Sequence, residues 1–149
     1  MAVNQDTYTD TMAPGYPGMV ANGETSNRIS RTCEDVAGIP FGVPVYRGAG
    51  DHGCTRTPSA GAFLGISIAH EVLGVLSGQT ADRYQQYDNV AIMPLGVIWV
   101  TAGEAVTDGA PAYDTGSAIV DTVGTNTALN GWVFDTTGAN AALVKLAKR

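Results

Sequence analysis

Three glycines in YRGAGDHGCT, residues 46–55, have the spacing of a dinucleotide-binding turn. Gly48, Gly50 and Gly53 form a G-x-G-x-x-G pattern, which binds a pyrophosphate only where a strand enters the turn and a helix begins after it. FGVPVYR can be the strand, but Pro58 and Gly61 follow the turn and leave no room for a first helical turn. The pattern therefore predicts a glycine-rich loop between two strands, without a cofactor.

The cysteines and histidines are the other residues that could carry chemistry. His52 lies two residues from Cys54, but a catalytic pair needs a further group that orients the base. Cys33 and His70 bring the number of possible zinc ligands to four, yet the spacings match no compact zinc pattern. We predict no catalytic residue, no cofactor and no bound metal. Because no export signal is visible, we expect both cysteines to be free thiols.

Composition narrows the possible partners. The chain has 149 residues, the size of one domain, with 19 glycines and 7 prolines. Its net charge is −6, and its eight Lys and Arg residues form no patch beyond the closing KLAKR. Direct nucleic-acid binding needs clustered cations, so it is not expected. No apolar run approaches the length of a membrane span, so we expect no membrane partner.

Short runs rich in β-branched and aromatic residues recur from Cys33 onward, separated by Gly, Pro, Asn and Asp. Regular spacing of this kind is typical of a β-sandwich or a β-barrel. We therefore predict an all-β fold, a compact jelly-roll-like sandwich or barrel. The predicted strands are FGVPVYR, AFLGISIA, VAIMP, GVIWVTA, SAIVDT, GWVFDT and AALVKL.

Residues 1–32 differ from the rest of the chain. They contain Pro14 and Pro17, no sustained periodicity and only isolated large apolar side chains, so they cannot form a core of their own. We predict an extended N-terminal arm over residues 1–32 and a β-rich domain over residues 33–149. Such an arm suits attachment to another protein surface.

The stretch SGQTADRYQQYDN, residues 77–89, interrupts the strand pattern and is predicted to be a long exposed loop. Its tyrosines are amphipathic side chains of the kind enriched at contact surfaces. The alternative is that both tyrosines pack on the flank of their own domain.

Several segments resemble the structural cement, or head decoration, proteins of tailed bacteriophages. The similarity extends over nearly the whole chain, and none of the matching segments is a catalytic motif. They are GMVANGETSNRISRTCEDVAGIPFG, TADRYQQYDNVAIMPLGVIWV, AVTDGAPAY and GWVFDTTGANAALVKL.

The resemblance implies a non-enzymatic protein on the outer surface of the virion capsid, made in the host cytoplasm. It would bind the major capsid protein and neighbouring copies of itself, bridging capsid subunits and stabilising the expanded shell. A homotrimer is favoured slightly over a homodimer. Combined with the arm and the tyrosine-bearing loop, it gives the predicted contact residues: Tyr8, Met12, Tyr16, Met19, Arg83, Tyr84, Gln86 and Tyr87.

A host-binding or carbohydrate-binding β-sandwich on the virion surface is the alternative function. Carbohydrate sites use aromatic rings beside Asp and Asn on exposed loops. Two segments offer this combination, Tyr113-Asp114 and Tyr87-Asp88-Asn89.

Overall fold

The computed structural model describes residues 14–70 and 80–149, and β-strands are their regular elements. Those two ranges contain no helix, and so none that could cross a membrane. The predicted all-β fold is confirmed. The strands are β1 (Asn27–Cys33), β2 (Ile39–Pro40), β3 (Pro44–Arg47), β4 (Gly53–Thr55), β5 (Phe63–Ser67), β6 (Arg83–Tyr84), β7 (Asn89–Thr101), β8 (Pro111–Asp114), β9 (Ile119–Val120), β10 (Thr127–Phe134) and β11 (Leu143–Lys148).

Five strands form a closed barrel in the first part of the chain, in the order β1-β4-β3-β5-β7. The ring closes because β1 pairs in parallel with β4 and antiparallel with the first half of β7. Alternate side chains point inward, and the short β2–β6 pair adds Ile39 and Tyr84 to the same core. The interior includes Cys33, Val45, Cys54, Val90 and Ile92.

The second half of β7 begins another ring, which continues through β11, β10, β8 and β9. β7 pairs with β11 from Gly96 to Thr101. The ring closes just beyond β7, where Ala102 pairs in parallel with Ile119 and the Gly103 N–H donates to the Ile119 carbonyl at 2.8 Å. The interior includes Ile98, Val100, Phe134, Val144 and Leu146.

β7 is a single strand of 13 residues that belongs to both barrels. The sequence predicts two separate runs here, because Pro94 and Gly96 interrupt the apolar pattern. In the structure, this is where the partners of β7 change from β1 and β5 to β11. Pro94 has no N–H to donate, so it fits the point where one hydrogen-bond ladder ends and the next begins.

The two barrels have the same topology. In each, the first strand in the sequence pairs in parallel with the third and antiparallel with the last. The parallel pair of Cys33 with Cys54 corresponds to that of Ala102 with Ile119. The fold is therefore an internal structural repeat, in which β7 is the last strand of the first barrel and the first strand of the second.

The repeat extends to local sequence and hydrogen bonding. Residues 42–46 and 109–113 both read G-x-P-x-Y, and Gly42 and Gly109 have positive φ values of 69° and 83°. The Gly42 N–H donates to Ser67 O at 2.9 Å, and the Gly109 N–H donates to Phe134 O at 2.8 Å. Few residues are identical between the halves, so the equivalence is visible mainly in spacing and backbone contacts.

The described part of the predicted N-terminal arm, residues 14–32, is built into this fold. The Gly18 N–H donates to Trp99 O at 2.8 Å, and the Trp99 N–H donates to Met19 O at 2.9 Å. β1 crosses the predicted boundary and pairs with β7 over residues 27–32. A backbone ladder holds these residues in the domain. The prediction of an arm outside the sheet now concerns residues 1–13, which lie outside the described residues.

A buried ion pair joins the two barrels. Asp114 in β8 accepts hydrogen bonds from Arg56 Nη1 at 2.5 Å and Nη2 at 2.8 Å, and its side chain is fully buried. The Tyr46 hydroxyl in β3 donates to the same carboxylate at 2.7 Å. Burial, followed by the hydrogen bond to Asp114, raises the pKa of Tyr46. The hydroxyl therefore stays protonated at neutral pH and continues to donate.

We expect Asp114→Ala to lower the free energy of unfolding by about 3–5 kcal/mol, because it leaves the largely buried Arg56 guanidinium unpaired. Tyr46→Phe should cost about 1.5–3 kcal/mol, typical of a hydrogen bond to a charged group. Chemical denaturation at pH 7 measures both, with the exposed Asp108→Ala as the matched control. If Asp114→Ala lowered the free energy of unfolding by less than about 1 kcal/mol, the pair would behave like an exposed surface ion pair. That result would contradict the buried ion pair described here.

Candidate interaction surface

The glycine-rich loop between β3 and β4 binds a carboxylate of its own chain. Glu34, directly after β1, accepts hydrogen bonds from the Ala49 N–H at 2.7 Å and the Gly50 N–H at 2.8 Å. A Cβ atom at Gly48 or Gly53 would lie within 2.2 Å of the Glu34 carboxylate oxygens. The glycines therefore make room for this side chain, and the loop connects two strands, as predicted.

The hydrogen bonds from Gly50 and then Ala49 lower the pKa of Glu34. The next residue, Asp35, accepts from the Thr55 hydroxyl and the Arg56 N–H, both at 2.6 Å. Two consecutive acids after β1 thus fix the loops on both sides of β4. Both carboxylates therefore hold loops of the fold in place.

The cysteines are free and completely buried. Cys33 and Cys54 lie opposite each other in the β1–β4 pair, whereas His52 is exposed on the loop. Burial, followed by the proximity of Cys33, raises the pKa of Cys54 to about 12. At neutral pH Cys54 is therefore a buried thiol and a poor nucleophile. Within residues 14–70 and 80–149, no three His, Cys, Asp or Glu side chains are grouped to hold a metal ion.

The loop directly after β1 and the loop directly before β7 carry the most exposed large apolar side chains in the described part of the chain. Val36 is 84% exposed and Tyr87 is 77% exposed. We call residues 34–38 and 85–88 the Val36–Tyr87 surface. Val36 was not among the predicted contact residues, because a lone aliphatic residue beside turn formers gives little sequence signal.

Hydrogen bonds hold this surface in place. The Tyr87 N–H donates to Cys33 O at 2.8 Å, and the Cys33 N–H donates to Asp88 O at 2.9 Å. The Gln86 side-chain amide donates to Glu34 O at 3.3 Å, and Arg83 Nη1 donates to Ala37 O at 2.8 Å. The backbone that presents Tyr87 is therefore fixed before any partner binds.

Tyr87 has a φ of 71°, which is unfavourable for a residue with a bulky side chain and costs about 1 kcal/mol. Its equivalent in the second barrel is Ala141, with a φ of 64°. The Ala141 N–H donates to Ala102 O at 2.9 Å, just as the Tyr87 N–H donates to Cys33 O. The same turn therefore forms with a methyl group, and the fold does not require the tyrosine ring.

The other predicted contacts in this loop are in different environments. Arg83 and Gln86 are half-buried, with the hydrogen bonds described above. Tyr84 is completely buried, and its hydroxyl donates to Ile68 O at 2.5 Å. Its ring packs edge-on against Phe41 with centroids 5.3 Å apart. Because Tyr84 is a core residue of the first barrel, it is removed from the contact surface.

Tyr16 is 44% exposed and separates two clefts. One, of about 380 Å³, is lined by Met19, Val20 and Ile68 among others. The second, of about 340 Å³, extends to Arg83. The Arg83 guanidinium donates a hydrogen bond to Ala37 O, in the loop that carries Val36. Arg83 thus connects the cleft beside Tyr16 with the Val36–Tyr87 surface, whereas half-buried Met19 lines only the first cleft. Tyr8 and Met12 lie outside the described residues.

The sequence matches a protein family over nearly its whole length. The family is described as structural cement protein (E217 gp24/Pam3 gp6), and its model covers residues 4–148. No curated protein sequence matches the chain.

Solved structures match the chain at low sequence identity. A chain from the capsid of Myoviridae Phage XM1 is similar with a TM-score of 0.72 and 15% identity, over 99% of this chain and 97% of that chain. The N base of head fiber gp8.5 in bacteriophage phi29 has a TM-score of 0.48 and 13% identity, over 84% of this chain and 95% of that chain. At 15% identity, the similarity to the XM1 capsid chain concerns the fold alone.

Glu34→Gln should destabilise the β3–β4 loop at neutral pH, because an amide accepts hydrogen bonds more weakly than a carboxylate. The folded-state pKa of Glu34 lies below its ordinary value of 4.5, so the wild-type advantage is fully present above that pH. It disappears as the pH falls through the lowered pKa. Amide hydrogen exchange of Ala49 and Gly50 across this range measures the difference, with exposed Asp51→Asn as the control. Equal exchange rates in wild type and Glu34→Gln at pH 7 would contradict the interpretation.

Proposed function

The chain belongs to the family of phage structural cement proteins, and we propose that it binds the outer surface of the phage head and bridges neighbouring major capsid protein subunits. Membership makes it a capsid-associated structural protein. The Val36–Tyr87 surface is the observation that carries the proposal about how it attaches.

The surface has the properties of a binding anchor. Tyrosine is prominent among interface hot spots, and burial of an apolar side chain of this size against a partner contributes about 1–3 kcal/mol. Because hydrogen bonds already fix the turn that carries Tyr87, little further backbone ordering opposes binding. Each contact is modest, but many equivalent sites on a closed shell raise the effective concentration for the next contact.

The structural repeat supports a role for Tyr87 outside folding. The equivalent turn of the second barrel uses Ala141 with the same backbone conformation and an equivalent hydrogen bond. A strained, exposed aromatic residue where alanine suffices is explained by a partner that buries the ring.

Tyr16 and Met19 remain proposed contacts, as do Tyr8 and Met12, which lie outside the described residues. Half-buried Arg83 connects the two regions, since it lines the cleft beside Tyr16 and bonds Ala37. The net charge of −6 favours a protein partner over nucleic acid. We propose a homotrimer as the attached form, in preference to a homodimer.

The geometry gives less support to carbohydrate binding. Asp114 is fully buried and paired with Arg56 and Tyr46, so it has no free oxygen to offer a sugar on the surface. In the second candidate segment, Asp88 Oδ2 accepts from the Gln85 N–H at 2.7 Å. Asp114 thus stabilises the core, and Asp88 stabilises a turn.

Tyr87→Ala should weaken binding to heads that lack this protein by about tenfold, because the anchor ring is removed. The melting temperature should not fall, since Ala141 shows that the turn forms with alanine. Cosedimentation with such heads gives the dissociation constant, and calorimetry gives the melting temperature. The matched control is Ala141→Tyr, which should leave the affinity unchanged. Unchanged affinity of a folded Tyr87→Ala protein would rule out this surface as the anchor.

A further inference from the structure

Considering only residues 14–70 and 80–149, part of β1 forms an open sheet edge. On the side of β1 that faces β4, the Thr32 N–H donates to His52 O at 2.8 Å and the Glu34 N–H donates to Cys54 O at 2.9 Å. Backbone groups alternate in direction along a strand, so Ser30 faces the same side, before β4 begins. In the described residues, the Ser30 carbonyl accepts a hydrogen bond from the Arg31 guanidinium at 2.8 Å and has no backbone partner.

The second barrel shows the same edge occupied. By the repeat, Ser30 corresponds to Trp99, because Ile29 and Ile98 take equivalent places opposite Ile92 and Leu146. Trp99 exchanges two hydrogen bonds with the segment 18–19, and the Ala21 N–H donates to Val97 O at 2.9 Å. A segment of the chain itself thus adds a short antiparallel pairing at an edge where, among the described residues, the first barrel has none.

We propose that the edge of β1 around Ser30 binds residues 1–13 of a second copy of this chain as an added β-strand. Backbone groups left open along a strand are a ready template for strand addition. The neighbouring segment 18–21 already fills the equivalent edge. Residues 1–13 directly precede it, and when extended they span about 40 Å.

Charge and sequence pattern favour this occupant. Arg28 is exposed and Arg31 partly exposed on β1, whereas residues 1–13 contain Asp6 and Asp10 and no Lys or Arg. Thr7, Thr9 and Thr11 alternate with Tyr8 and Asp10, a period of two with β-branched residues on one face. This pattern fits a strand that pairs beside two arginines.

The inference concerns contacts between copies and does not depend on the anchor for the capsid. It is tested by mixing two full-length variants, Thr9→Cys and Ser30→Cys, under a mild oxidant, both free and bound to heads. A disulfide-linked pair containing one chain of each variant is expected. Native Cys33 and Cys54 are buried, and the exposed Thr125→Cys replaces Ser30→Cys in the control.

Absence of the mixed pair both in solution and on heads would overturn the proposal. The proposal would also be overturned if a single chain carrying Thr9→Cys and Ser30→Cys formed only an intramolecular disulfide. Yield equal to that of the Thr125→Cys control would count against it in the same way. Loss of head binding by Tyr87→Ala, in contrast, leaves this result unaffected, so the two proposals fail separately.

Three further measurements test the mechanism. Reversing both arginines of the Ser30→Cys chain, Arg28→Glu with Arg31→Glu, should lower the yield of the mixed disulfide about tenfold. With the arginines unchanged, 1 M salt should also lower this yield by screening. In full-length protein without added cysteines, Ser30→Pro removes an N–H that points away from β7, so it should abolish self-association measured by sedimentation. Circular dichroism checks that the fold is retained. Undiminished association of a folded Ser30→Pro protein would contradict strand addition.

Discussion

The shared strand β7 is the constraint on which the rest of the molecule depends. Its first half completes one barrel through β1 and β5, and its second half begins the other through β11. A shift of one residue in its register would turn the inward side chains of both halves outward. Ile92 and Ile98, for example, belong to the cores of different barrels. Correct pairing of one strand therefore sets both interiors, and the Asp114–Arg56 ion pair adds a second connection between them.

In the part of the chain that the structure describes, closure of the two rings pairs the outer strands of the large sheet, so loop ends and gaps in the ladders become the places to look for partner contacts. The repeat helps to identify them, because strand and turn positions of one barrel have structural equivalents in the other. Differences between equivalents mark features that the fold itself does not require. The proposed contacts rest on two such differences. The repeated turn carries Tyr87 in one barrel and Ala141 in the other, and in the described residues the strand edge is open at Ser30 but paired at Trp99.

Residues that resemble catalytic or cofactor motifs serve the architecture here. The glycines of G-x-G-x-x-G receive the carboxylate of Glu34, using the same property that suits such loops to phosphate, namely backbone N–H groups converging on an anion. The cysteines are small buried side chains at the parallel β1–β4 pair. A second acid, Glu104, accepts from the Asp121 and Thr122 N–H groups in the second barrel, so fixing a loop with a carboxylate is itself repeated.

The sequence by itself determined the all-β class and the presence of a strand in every run predicted from Phe41 onward, because period-two apolar patterns and turn residues are local signals. The cement family followed from the resemblance of whole segments to that family. It did not determine that β1 is a strand, since most of its side chains are exposed and polar, nor that residues 14–32 join the sheet. The closure of two barrels, the repeat, the burial of Tyr84 and the exposure of Val36 were decided by tertiary structure. Each depends on which distant strand a segment pairs with, and that choice follows from packing and hydrogen bonds between residues far apart in the chain.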